Sequence, residues 1–84
     1  MRHLLAALVL LLSFCAASGA RADLAQSRAW FESLTADERT ATQSDLTLLG
    51  FYTYLVDGQF GTGTYEALTA YQRSLGRAQT GVLI

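Results

Sequence analysis

Apolar positions in this chain of 84 residues run together at first, and only later fall into spaced patterns. Leu4 to Phe14 is almost unbroken apolar sequence, preceded by Arg2 and His3 and followed by small residues up to Ala20-Arg21-Ala22. From Asp23 onward polar and charged residues interrupt the pattern. Trp30, Phe31 and Leu34 cluster on one side of Asp23–Leu34, which reads as a short helix or an ordered arm. Thr35-Ala36-Asp37-Glu38 then fits a capping box, in which the hydroxyl and the carboxylate each satisfy a backbone N–H of the other residue. It predicts a helix over Ala36–Leu49, with Thr42, Leu46 and Leu49 on the inner face and Gly50 as its stop.

The next stretch, Phe51-Tyr52-Thr53-Tyr54-Leu55-Val56, is β-prone in composition but has no partner strand of comparable quality. It reads as an extended connector that seats Phe51, Leu55 or Val56 in the core. Asp57-Gly58 is a turn. Thr62 suits the cap of a last helix over Gly63–Leu75, whose apolar face carries Ala67, Leu68, Tyr71 and Leu75. Gly76 can end that helix, and Thr80-Gly81-Val82-Leu83 returns an apolar pair to the bundle.

The basic start, the apolar run and the A-x-A site have the layout of a secretory signal peptide over residues 1–22, cleaved after Ala22. Even extended to Ala17, the run falls short of the roughly 20 apolar residues of a membrane-spanning helix. Cys15 follows Phe14, which suits lipoprotein processing badly. The expected mature chain, 23–84, is 62 residues long and leaves no stable membrane anchor. A domain of that size buries only about 60% of its unfolded surface and has room for one core.

Removal of the leader also changes the chemistry. Arg28, Arg39, Arg73 and Arg77 face seven carboxylates, a net charge of −3 against −1 for the whole chain. That balance argues against nucleic acid as a partner. The single histidine, His3, and the single cysteine lie in the leader, and the chain has no lysine after it. His-based triads, thiol nucleophiles and imidazole–zinc sites are thereby excluded. Carboxylates alone would need a substrate cleft that so small a core cannot spare. The loop D-G-Q-F-G also lacks the spaced oxygen ligands of a calcium site. No catalytic residue, metal or cofactor is expected.

Four segments together carry a family resemblance. They are Gln43-x-x-Leu46-x-x-Leu49-Gly50-Phe51-Tyr52, Val56-Asp57-Gly58-x-Phe60-Gly61-x-x-Thr64, Ala67-Leu68-x-x-Tyr71-Gln72 and Thr80-Gly81-Val82-Leu83. In this order and spacing they resemble the small peptidoglycan-binding domain family, over about Arg39 to Leu83. The resemblance implies an all-α, small three-helix bundle over 36–84, with residues 23–35 as an extra N-terminal helix or an arm. It implies noncatalytic attachment of an exported, periplasmic or secreted module to the bacterial wall polymer, alone or as part of a longer envelope protein. A neighbouring domain or protein is the alternative partner. Thr62 and Gly63 depart from the family, which usually has Pro and a longer polar residue there, and Arg77-Ala78-Gln79 replaces a more apolar stretch.

Within that pattern Asp57 reads as an Asx-turn carboxylate, Phe60 as an inward anchor and Thr64 as a local backbone partner. Ligand contacts are expected instead from Tyr52, Tyr54 and Tyr65, each with an apolar ring and a polar tip. Tyr52 and Tyr65 divide between core and contact, and Tyr54 is the exposed one. Gln59 stands beside the turn as a contact or a surface residue. Arg73 and Arg77 suit stem-peptide carboxylates, or simply the negative end of the helix dipole.

Overall fold

The Thr35 capping box forms as its spacing predicts. In a computed structural model that describes residues 23–83, the Glu38 N–H donates to Thr35 Oγ1 at 3.1 Å and the Thr35 N–H to Glu38 Oε1 at 2.8 Å. The expected signal peptide over residues 1–22 and the terminal Ile84 lie outside the described residues. The box opens α2, Ala36–Leu48. Before it residues 23–33 are helical (α1), and after it comes α3, Thr62–Ser74. No strand occurs among the described residues. The fold is thus an all-α three-helix arrangement, and the N-terminal segment, a helix and not an arm, supplies one of the three.

The hydrogen bonds of the box hold the Glu38 carboxyl below its ordinary value, chiefly the one from the Thr35 backbone and then the one with its side chain. A lowered folded value means the cap contributes fully above the unfolded value, about pH 4.3, and is lost as the pH falls through the folded one. Glu38→Gln is therefore expected to flatten the acid limb of stability below about pH 4.3. Thermal melts across about pH 2.5–6 check this, and an unchanged acid limb would sink it.

The C-terminal ends of α2 and α3 close with the same hydrogen bonds. After α2 the Gly50 N–H reaches Thr47 O at 3.0 Å and the Phe51 N–H reaches Leu46 O at 2.9 Å. After α3 the Gly76 N–H reaches Arg73 O at 3.0 Å and the Arg77 N–H reaches Gln72 O at 2.9 Å. These are Schellman closures, and Gly50 and Gly76 supply the left-handed residue with φ of 87° and 70°. They also overturn part of the expected core. Leu49 and Leu75 cap their helices and point outward, 57% and 52% exposed. The chain reverses at each glycine, so the next position on the apolar face is not the next helical one. Tyr52 takes Leu49's place over Leu46, and Leu55 is left outside.

The core proper is Leu46, Tyr52, Ala67 and Leu68, with Trp30, Phe51, Val56, Tyr71 and Leu83 packed around it. Phe31 is fully buried beside it, with ring centroids 5.9 Å from Phe60 and 6.5 Å from Trp30. Phe60 points inward as expected, but it is half-buried and its ring packs on Phe31 of α1 at the edge of the core. Thr62 is the first residue of α3 and not its cap; the cap is Gly61, which offers no side-chain acceptor.

Two buried glutamines fix the loops. Gln43 Oε1 accepts from the N–H groups of Gly58 at 2.8 Å and Asp57 at 3.1 Å, while its Nε2 donates to Gln59 O at 2.9 Å and Thr64 Oγ1 at 3.2 Å. Thr64 is accordingly a buried cross-link and not the local backbone partner its position suggested. On α3, Gln72 Oε1 accepts from the Gly81 N–H at 2.8 Å and its Nε2 donates to Val82 O at 3.0 Å. Arg39 adds a third tie, donating to Gly58 O at 2.8 Å and to Leu34 O at the end of α1 at 2.7 Å. Every buried side-chain polar atom among the described residues has a partner.

Candidate functional site

The clamped loop presents its side chains to one end of α3. Asp57 Oδ1 accepts from the Gln59 N–H at 2.9 Å, the expected Asx turn. Tyr52 lies in the core with 5% of its surface exposed, and its hydroxyl donates to Leu55 O at 2.6 Å. That bond ties the base of the connector, and two residues on from Tyr52 the Tyr54 ring emerges 64% exposed. The rings of Tyr52 and Tyr54 meet edge to face, centroids 5.9 Å apart. Tyr54 rests on Gly63: a Cβ there would fall within the ring's own Cδ2–Cε2 edge.

A polar cleft results, lined by Tyr52, Tyr54, Asp57, Gln59, Phe60 and the start of α3 from Gly61 to Thr64. It offers an aromatic face, a carboxylate, a side-chain amide and, because Gly61 brings no capping side chain, helix N–H groups open to a ligand. Such a set suits neutral polar molecules with an apolar face. A second cleft shares Gln59 and Phe60 with it and is walled by Arg28, Glu32, Arg39 and Gly58. On another side, Leu46, Leu48, Leu49, Tyr71 and Leu83 form an apolar groove rimmed by Thr42 and Asp45.

Of the six expected contact residues, the structure brings Tyr52, Tyr54 and Gln59 together. Tyr52 serves as a wall, since its surface is buried. Tyr65 stands apart, half-buried where a Cβ on Gly81 would lie 3.0 Å from its Cδ1. Arg73 is exposed in the last turn of α3 and holds Gln79 Oε1 at 3.1 and 3.2 Å. Arg77 is exposed beyond that helix, beside Tyr71, Leu75 and Val82. These three do not converge on the polar cleft. Gly63 was missed as a site residue, although its departure from the family pattern was the signal. The small residue makes the seat for Tyr54.

No cluster of three or more His, Cys, Asp or Glu side chains that could hold a metal occurs among the described residues. None of the described helices is long and apolar enough to cross a membrane.

A family model described as "Putative peptidoglycan binding domain" matches residues 35–83. The chain is also similar to N-acetylmuramoyl-L-alanine amidase CwlM of Mycobacterium tuberculosis, at 49% identity over 49 residues. The similar segment is 58% of this chain but 12% of that protein, so the chain spans only a small part of its relative. No solved structure is significantly similar. The matched residues hold α2, α3 and both clamped loops, and α1 lies outside them.

Proposed function

This chain belongs to the peptidoglycan-binding domain family, and from that premise we propose that it is an exported, noncatalytic module that attaches to bacterial wall peptidoglycan. The observation that carries the reading is the Tyr54 ring, held edge-on by Tyr52 and seated on Gly63 at the mouth of a polar cleft. A sugar ring stacks its C–H face on such an aromatic surface, while N-acetyl and hydroxyl groups bond to Asp57, Gln59 and the first N–H groups of α3. One such contact is weak, but the wall is a polymer that offers the same group many times. The amidase relative supports the substrate class through its name alone. The signal-like layout of residues 1–22 supports export, and with it a location in the cell envelope.

Co-sedimentation with isolated wall sacculi tests the reading. Parent chain is expected to pellet, and Tyr54→Ala to lose about tenfold in affinity while staying folded, its melt lowered by no more than a few degrees for the lost contact with Tyr52. A folded parent that stays in the supernatant would sink it. The apolar groove favours a second reading, in which the scaffold docks on a neighbouring domain of a longer envelope protein. Leu48 stands 86% exposed in that groove. Leu48→Asp, which leaves the polar cleft untouched, separates the two: under the first reading it binds sacculi like the parent.

A further inference from the structure

The cleft beside the Tyr54 site is built from two cations that the family pattern does not supply together. Arg39 is half-buried and fixed, with Nε and Nη1 spent on Gly58 O and Leu34 O. A guanidinium carries five donors, so its Nη2 edge is left over. Arg28 projects from α1, its Cζ 5.1 Å from the centre of the Phe60 ring. Among the described residues its one ionic partner is Glu32, at the 4.0 Å limit, with both side chains more than half exposed. So exposed a pair is easily exchanged for a better acceptor. The mature chain carries net negative charge, yet this cleft sums to one positive charge. Its far wall, Gln59 and Phe60, is shared with the aromatic cleft, so one ligand can reach both.

We propose that Arg28 and Arg39 form a carboxylate subsite, which takes an acid group of the stem peptide while the glycan lies on Tyr54. The inference rests on the wall-binding reading and adds a specificity element to it. Arg28 lies outside the family-matched residues, so the subsite distinguishes this chain from modules that begin at α2. The incoming carboxylate replaces Glu32 at Arg28, turns toward the Nη2 edge of Arg39 and keeps Phe60 as an apolar floor. Removal of Arg28 and removal of the Glu32 charge should then act in opposite directions.

The test titrates the full chain against two preparations of the same sacculi, one untreated and one with its peptide carboxyls converted to amides. On untreated sacculi Arg28→Gln is expected to weaken binding about tenfold, and Glu32→Gln to strengthen it by a factor of about three, both with unchanged circular-dichroism melts. On amidated sacculi the parent should fall to the level of Arg28→Gln, and the three proteins should bind alike. Arg77→Gln, a cation away from the cleft, should bind like the parent throughout. Parent binding that ignores both amidation and Arg28→Gln overturns the subsite and leaves wall binding standing. Equal losses in Arg77→Gln and Arg28→Gln also overturn it, because the effect would then be general charge. A folded parent that binds neither preparation overturns the wall-binding reading itself.

Discussion

Gln43→Leu is expected to lower the melting temperature by on the order of 15 °C, although it leaves the packing of the scaffold nearly unchanged. Leucine fills nearly the same volume, so the loss is of hydrogen bonds and not of packing. The N–H groups of Asp57 and Gly58, the carbonyl of Gln59 and the hydroxyl of Thr64 all lose the partner they share. A buried polar group left unmade costs about 1–3 kcal/mol. Three of these four belong to a loop that water can partly reach, so the sum is set at roughly 3–4 kcal/mol. A domain of this size has little more than about 5 kcal/mol in total. Circular-dichroism melts measure it, with Leu48→Ser on the exposed side of the same helix as the control. A Gln43→Leu melt within two or three degrees of the parent would show that the loop does not depend on the amide.

Gly81→Ala should cost nearly as much for a different reason, and comparison with Gly50→Ala isolates it. Both glycines hold left-handed backbone, with φ of 76° and 87°. An alanine there pays about 1–2 kcal/mol for conformation alone. A Cβ at Gly50 would meet nothing within 4 Å. At Gly81 it would lie 2.5 Å from Ser27 Oγ, 2.8 Å from Ser27 Cβ and 3.0 Å from Tyr65 Cδ1. Ser27 is fully buried and donates to Gly81 O at 2.7 Å, so α1 must move away for the methyl to fit. Overpacking of this kind adds about 1–3 kcal/mol. Denaturant unfolding should therefore place Gly81→Ala about 2 kcal/mol below Gly50→Ala. Equal losses at the two positions would mean that α1 does not press on the C-terminal loop.

What the sequence made legible was local. The capping box spans four residues, and the glycine stops and the Asx turn close within two to five, so residue type and spacing were enough to place them. Burial beyond those points was not legible in the same way. Leu49 and Leu75 sit at apolar helical positions, but a Schellman reversal removes the turn that would have buried them. The roles of Gln43 and Gln72 were visible only as letters in a family pattern. Their partners lie 8 to 21 residues away, and nothing in the local spacing of a glutamine announces a loop clamp. Tyr54 could be read as exposed because the connector had no strand to join. That Arg28 stands near Gln59, while Arg73 and Arg77 do not, depends on how α1 lies against the loop. No periodicity within α1 encodes that placement.

The two glutamine clamps have a consequence for the medium the protein can tolerate. Both join uncharged groups, and the third tie, Arg39, donates to two neutral backbone carbonyls. None of the three relies on a carboxylate, and the neutral pairs are blind to ionic strength. Under the proposed export, the domain meets acidity and salt that the cell does not buffer. The bonds that shape the loops are of a kind that such changes leave alone. The exposed charges around them, Arg28, Glu32 and Asp57, stand outside these ties, so under the proposed attachment ionic strength acts on the contact surface while the framework that presents it stays the same.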